Sequence, residues 1–198
     1  RIGAPAAVSA LADAALDLAL GEMDQQRAAF DLALPVESYM SRCRRKTGAL
    51  FSVACRLGSL LSGGSEEAQL RLAAFGGHVG VAFQILDDIL DLAGSPSETG
   101  KRRGTDILSG TTTLPQILAI AEDPEIGREI AAVSASGESA DDLDALCDLL
   151  ALHPGTAAAR QMALDEVARA MESLDGDIGD ADVEALGMIA AGVVDRFA

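Results

Sequence analysis

The chain has no tryptophan, and aromatics of any kind make up only 3% of its 198 residues. Its core must therefore come mainly from Ala, Leu, Ile and Val, within a hydrophobic content of 49%. Alanine and leucine are strong helix formers. Few segments alternate with period two or run rich in β-branched residues, which points away from a sheet protein. Cysteine is scarce too. Cys43, Cys55 and Cys147 form no CxxC and leave an odd count, which argues against a disulfide framework and a zinc site. Reduced thiols in the cytoplasm are the simplest expectation. Basic charge is also short: 15 Lys and Arg stand against 31 Asp and Glu, a net charge of -16. The surplus is concentrated in residues 121–198, which carry 18 acids and 4 bases. An acidic surface of this kind argues against nucleic acid and anionic membranes as partners and reads as a solvated, solubilising face. No apolar run is long enough to span a bilayer, and no basic segment leads into an apolar run as in a signal peptide.

What is present is helical pattern and helix punctuation. Residues 5–30 read as helix in one or two pieces, with Gly21 near a bend. Glu37 to Leu61 reads as one long helix, stopped by Ser62-Gly63-Gly64. Ser65 is placed to cap the next helix, with Glu66 and Glu67 in its first turn, and that helix should reach about Ala93. Gly76, Gly77 and Gly80 lie inside it. Each costs roughly 1 kcal/mol relative to Ala, so three in five residues suggest close helix approach or room for a ligand. Residues 95–113 read as a polar, Gly-rich loop, and Thr113-Leu114-Pro115 opens a helix. Shorter helices should occupy 124–151, broken by Ser134 to Gly137, with one beginning at Ser139 or Ala140. His153-Pro154-Gly155 reads as a connector, and the last helices should cover 156–175 and 180–197. The economical organisation is a single helical domain over 1–198.

The most informative segment is Phe83-Gln84-Ile85-Leu86-Asp87-Asp88-Ile89-Leu90-Asp91. Asp87 and Asp91 are four apart and share a helix face. Their charges repel, and apolar surroundings make ionised carboxylates costly. A divalent cation reverses that energetics. Mg2+ takes hard oxygen ligands and is usually divided between one or two carboxylates and a substrate phosphate. The pattern thus points to diphosphate chemistry rather than a protein-only metal cage. Lys46 and Lys101 are the only lysines in a chain that otherwise uses Arg. Each sits in a basic string, Arg44-Arg45-Lys46 and Lys101-Arg102-Arg103, suited to an anion.

The run from Gly80 to Asp91 resembles the second aspartate-rich motif of the trans-polyprenyl diphosphate synthases. The following Gly100-Lys101-Arg102-Arg103-Gly104-Thr105-Asp106 is similar to that family's GK loop. Thr113-Leu114-Pro115 resembles its TLP, Lys46-Thr47 its KT pair, and Gly21-Glu22-Met23 its GEM-type helix, all in family order. The resemblance implies an all-α helical bundle of the isoprenoid synthase type around a central cavity, commonly as a homodimer. It also implies Mg2+-dependent condensation of an allylic diphosphate with isopentenyl diphosphate by ionisation, condensation and elimination. Carried over, Asp87 would ligate Mg2+ directly. Asp88 and Asp91 would orient metal-bound water or lysine, and Asp106 would support a metal water. Lys46 and Lys101 would grip the diphosphate. The carbonyl of Thr47 and the side chain of Gln84 would face the developing cation.

The match is to the C-terminal two-thirds of such a synthase. The first aspartate-rich motif and the isopentenyl-binding segment are not in the sequence, so the N-terminal helices of the fold are expected to be missing and the chain alone to be inactive. Asp141-Asp142-Leu143-Asp144 lacks the family setting and reads as acids in a helix's first turn. Thr111 stands where the family commonly has Lys. Two outcomes stay open: weaker diphosphate binding, or compensation by Arg102 and Arg103. Rival functions are a non-catalytic helical subunit and a terpene cyclase. Product length is not readable.

Overall fold

The computed structural model describes residues 4–94, 102–136, 140–176 and 180–195. Among the described residues every regular element is helical and there is no strand, as the composition required. The elements are α1 (Pro5–Arg27), α2 (Val36–Cys43), a π-helical turn (Arg44–Gly48), α3 (Ala49–Ser62) and α4 (Glu66–Ala93). They continue with α5 (Thr105–Ser109), α6 (Leu114–Glu122), α7 (Pro124–Ser136), α8 (Ala140–Leu152), α9 (Pro154–Ser173) and α10 (Asp180–Asp195). None of the described helices is long and apolar enough to cross a membrane.

Contacts divide the chain into two compact units, one from Arg1–Met23, Met40–Gln84 and Ala163–Ala198, the other from Asp24–Tyr39 and Ile85–Met162. In the first, α4 lies against α3 with almost no side chain between them. A Cβ on Gly76 would overlap the Phe51 carbonyl, and one on Gly80 would sit 2.9 Å from Gly48 Cα. The glycines in the middle of α4 thus serve close helix approach. Phe75 and Val79 of the same helix enter a core with Ala170 and Ala190. In the second unit, Leu92 of α4 packs with Ile107 of α5, Ile130 of α7, and Leu143 and Leu150 of α8. All three cysteines are free. Burial pushes the Cys147 thiol up to about 11, which leaves it protonated and a poor nucleophile near neutral pH.

Ser65 does cap α4: its Oγ accepts the Ala68 N–H at 3.1 Å. Several features differ from the sequence expectation, among them the break expected from Ser134, since α7 continues through Ser136. Gly21 does not divide α1, which continues through it to Arg27; a Cβ there would lie 2.8 Å from the Lys46 backbone nitrogen, so its use is clearance. The long helix over 37–61 is interrupted by the π-helical turn, where the Ala49 N–H reaches back five residues to the Arg44 carbonyl. The loop over 95–113 contains α5, which is started by a carboxylate from α4 described below. His153-Pro154-Gly155 is a helix start, since α9 begins at Pro154 and the Gly155 N–H donates to His153 Nδ1 at 3.0 Å. Proline is well tolerated in that first turn. The final helices are Pro154–Ser173 and Asp180–Asp195, slightly displaced from 156–175 and 180–197. Ser95 to Ser97, Gly137 and Ser139 lie outside the described residues.

The close α3–α4 contact is expected to make Gly76→Ala destabilising by about 1–3 kcal/mol through overpacking. Gly58→Ala on α3, with nothing within 4 Å of the added carbon, is expected to stabilise by up to about 1 kcal/mol. Urea denaturation of the two variants checks both signs.

Candidate functional site

In the first unit the π-helical turn presents Lys46 and Thr47. A π turn widens the helix by one residue and shifts its backbone pairing, a feature frequent at functional positions. The Thr47 hydroxyl donates to Gln84 Oε1 at 2.6 Å, across the contact that Gly48 and Gly80 permit. The structure therefore brings together two residues that the sequence reading had grouped by resemblance. Lys46 Nζ lies 2.9 Å from Glu22 Oε1 and is partly exposed, with 29% of its side chain accessible. Glu22 thus enters as a partner of Lys46, from the GEM segment of α1. The same unit holds a cavity of ≈ 430 Å³ lined by Gly48, Ser52, Gly77, His78, Val81 and Glu166, among others. Glu166 is buried, and its two oxygens are 2.6 Å from His78 Nδ1 and from Arg169 Nη1.

The second unit holds the carboxylates, and the three aspartates of the motif sit in three different environments. Asp87 is exposed. Asp88 is buried and its Oδ2 accepts the Tyr39 hydroxyl at 2.7 Å. Asp91 is half-buried and caps α5: Oδ1 accepts the Thr105 N–H at 3.2 Å and Oδ2 the Asp106 N–H at 3.0 Å. Burial raises the Asp91 pKa, the two amides work against it, and the Asp87 charge adds to the rise. Asp106 lies in the first turn of α5, half-buried, with its N–H committed to Asp91. Lys101 lies outside the described residues.

Arg103 does something the sequence had not suggested. Its Nε is 2.9 Å from Asp144 Oδ1, its Nη1 is 2.7 Å from Asp148 Oδ1, and its Nη2 donates to the Asp144 carbonyl at 2.9 Å. The two carboxylates hold the guanidinium more firmly protonated, and Arg103 in turn lowers the Asp148 pKa. Asp141 and Asp142 occupy the first turn of α8 as expected, whereas Asp144 is a partner for Arg103. The Thr111 hydroxyl, in the place of the common Lys, hydrogen-bonds Gln25 Nε2 at 3.3 Å and the Ser109 hydroxyl at 3.0 Å.

Tyr39 was also missed. One signal was available, since it is the sole tyrosine of a chain poor in aromatics, and such a residue is generally placed for its hydroxyl as well as its ring. No group of three or more His, Cys, Asp or Glu side chains among the described residues is arranged to hold a metal by itself. A cation shared with phosphate oxygens needs only one or two carboxylates, and exposed Asp87 meets that smaller requirement.

The polyprenyl synthetase family model matches residues 1–150, and the chain belongs to that family. It is 35% identical over 178 residues to heptaprenyl diphosphate synthase component 2 of Geobacillus stearothermophilus, covering 89% of this chain and 54% of that protein. Nonaprenyl diphosphate synthase of Mycobacterium tuberculosis is 35% identical over 175 residues, with coverages of 88% and 52%. The chain thus spans about half the length of these relatives. Among solved structures, a Caulobacter crescentus polyprenyl synthase complexed with calcium and isoprenyl diphosphate superposes with a TM-score of 0.92 at 29% identity, over 100% of this chain and 61% of that one. A Rhodobacter capsulatus decaprenyl diphosphate synthase gives 0.87 at 32% identity, over 100% and 61%. The fold is the all-α isoprenoid synthase fold.

Tyr39→Phe removes a hydrogen bond to buried Asp88. It is expected to lower stability by about 1.5–3 kcal/mol with little change in packing, as measured by chemical denaturation.

Proposed function

We propose that this chain is part of a prenyltransferase that condenses an allylic diphosphate with isopentenyl diphosphate to give a longer linear isoprenoid diphosphate. The observation that carries the reading is the division of labour among Asp87, Asp88 and Asp91. Two carboxylates are fixed by a tyrosine and by backbone amides, and the third is left open to solution. That arrangement supports one hard cation shared between Asp87 and a diphosphate.

Mg2+, when bound, neutralises the charge that builds on the departing diphosphate. Asp87 would hold it, while Asp88, Asp91 and Asp106 orient water in its surroundings. Lys46 grips the allylic diphosphate by exchanging Glu22 for a phosphate oxygen, and Lys101 acts in the same capacity. The allylic C–O bond breaks with its electron pair on the diphosphate, leaving an allylic cation. Dipoles of the Thr47 carbonyl and the Gln84 amide face that cation and stabilise it electrostatically. The Thr47–Gln84 hydrogen bond supports this role by fixing the orientation of the amide. The isopentenyl double bond then attacks the cationic carbon, a C–C bond forms, the positive charge passes to the tertiary isopentenyl carbon, and a proton leaves its neighbouring C2 for the released diphosphate as the new double bond forms.

The protein works in the cytoplasm as an assembly. Val8, Leu11 and Leu16 of α1 are 69%, 53% and 60% exposed, an apolar surface of the kind that docks a partner. A second copy of the protein is the favoured partner. The relative named as a component 2 supports the alternative of a different subunit. Residues 1–198 contain one aspartate-rich motif and are expected to bind diphosphate without turning it over.

Calorimetry of residues 1–198 with inorganic diphosphate is expected to show binding with Mg2+ and none without it. Asp87→Ala should weaken that binding by on the order of a hundredfold, the equivalent of two decades of metal-mediated charge stabilisation. Binding that is indifferent to Mg2+ and to Asp87→Ala overturns the reading. Release of diphosphate from an allylic substrate by residues 1–198 alone overturns the expectation of binding without turnover.

A further inference from the structure

Two neighbouring residues after the GK segment dock onto α8, and the next two dock onto Asp91. Arg103 makes three hydrogen bonds to Asp144 and Asp148, with only 19% of its side chain accessible. Gly104 adopts φ +72°, and an added Cβ would lie 2.7 Å from Leu143 and 2.9 Å from Cys147. Only glycine adopts that backbone region at that distance without strain. The Gly104 N–H then donates to the Asp91 carbonyl at 2.8 Å, and the Thr105 and Asp106 amides take the two Asp91 carboxylate oxygens. The Thr105 hydroxyl closes the turn on the Arg102 carbonyl at 2.8 Å. Through Leu143, Leu146 and Leu150, α8 is itself seated in the core with Leu92, one residue beyond Asp91.

We propose that Arg103, held by Asp144 and Asp148, is a positioning residue for Asp91. The guanidinium fixes the segment 103–106 to a helix whose apolar face is seated in the core, and that segment presents two amides that set the direction of the Asp91 carboxylate. A planar guanidinium holds several acceptors at once in fixed geometry, which an ammonium does not. This proposal rests on the diphosphate reading of the aspartate-rich motif. It assigns Arg103 to the protein rather than to the substrate anion, and it assigns a use to two of the acids in the acidic half of the chain. Partners that orient such carboxylates matter to ligand affinity because a misdirected oxygen no longer meets the cation.

The test uses the full chain with Mg2+ and inorganic diphosphate as the probe, together with amide hydrogen exchange at Thr105 and Asp106 in the ligand-free protein. Arg103→Ala and the double variant Asp144→Ala/Asp148→Ala are each expected to speed exchange at both amides and to weaken diphosphate binding on the order of tenfold. Arg103→Lys should restore little of either. If Arg103→Ala loses the fold, Asp148→Asn removes one exposed arm of the clamp and should show the same two effects in smaller measure. If Arg103 instead grips the anion, the double aspartate variant binds diphosphate as well as or better than the parent, and the proposal is overturned. Unchanged exchange at Thr105 and Asp106 in every variant overturns it as well. A parent chain that binds no diphosphate with Mg2+ sinks the diphosphate reading itself, and the exchange data then decide the clamp separately.

Discussion

The hydrogen bond between Thr47 and Gln84 exists because two helix backbones touch. Side chains of ordinary size between α3 and α4 would hold the helices 8–10 Å apart, the usual interaxial range. Gly48, Gly76 and Gly80 remove those side chains, and a Cβ at Gly80 would fall within 2.9 Å of Gly48 Cα. The helix propensity forfeited at each glycine is a local cost of roughly 1 kcal/mol. What it secures is a fixed distance between a hydroxyl on the π-helical turn and an amide on α4. Gly21 acts in the same manner where α1 meets the Lys46 backbone, so Glu22 can reach the lysine.

The aspartates in the second unit illustrate how one sequence motif can be three physical objects. Asp88 is buried and must have donors, and Tyr39 supplies one from a fully buried position. Asp91 is half-buried and accepts two backbone amides, so it also starts a helix. Asp87 remains exposed to water. Its negative charge nevertheless opposes ionisation of Asp91. A cation beside Asp87 relieves both groups at once, which is the energetic argument for metal chemistry at this motif.

Local features of the fold were legible in the sequence because they are written within a few residues. The Ser65 cap, the helix carrying the aspartates, the Thr113 start of α6 and the glycine close approach all depend on neighbours or on helical periodicity. The π-helical turn was not legible, since one extra residue per turn has no compositional signature. The helix α5 was not legible either, as its first amides are satisfied by a carboxylate fifteen residues earlier. Nor were the Tyr39–Asp88 bond, 49 residues apart, and the Arg103–Asp144 bond, 41 apart. Such pairings depend on which helices pack together, and that is decided by the core rather than by the polar residues themselves. The aspartate motif and the family it marks were readable; the groups that hold the aspartates in place were not.

The clamp on Arg103 also changes the charge balance available to an anion. Sequence left open whether Arg102 and Arg103 compensate for Thr111, where the family commonly has Lys. Arg103 is engaged with two carboxylates and a carbonyl, and the Thr111 hydroxyl with Gln25 and Ser109. In the other unit Lys46 is engaged with Glu22, at a partly exposed ion pair that is weak enough to exchange. In a chain with twice as many acids as bases, each cation committed to the protein is one fewer for a diphosphate. Under the proposed function that deficit falls on the metal. A diphosphate site with few free cations should therefore depend more steeply on Mg2+ than one furnished with an additional lysine.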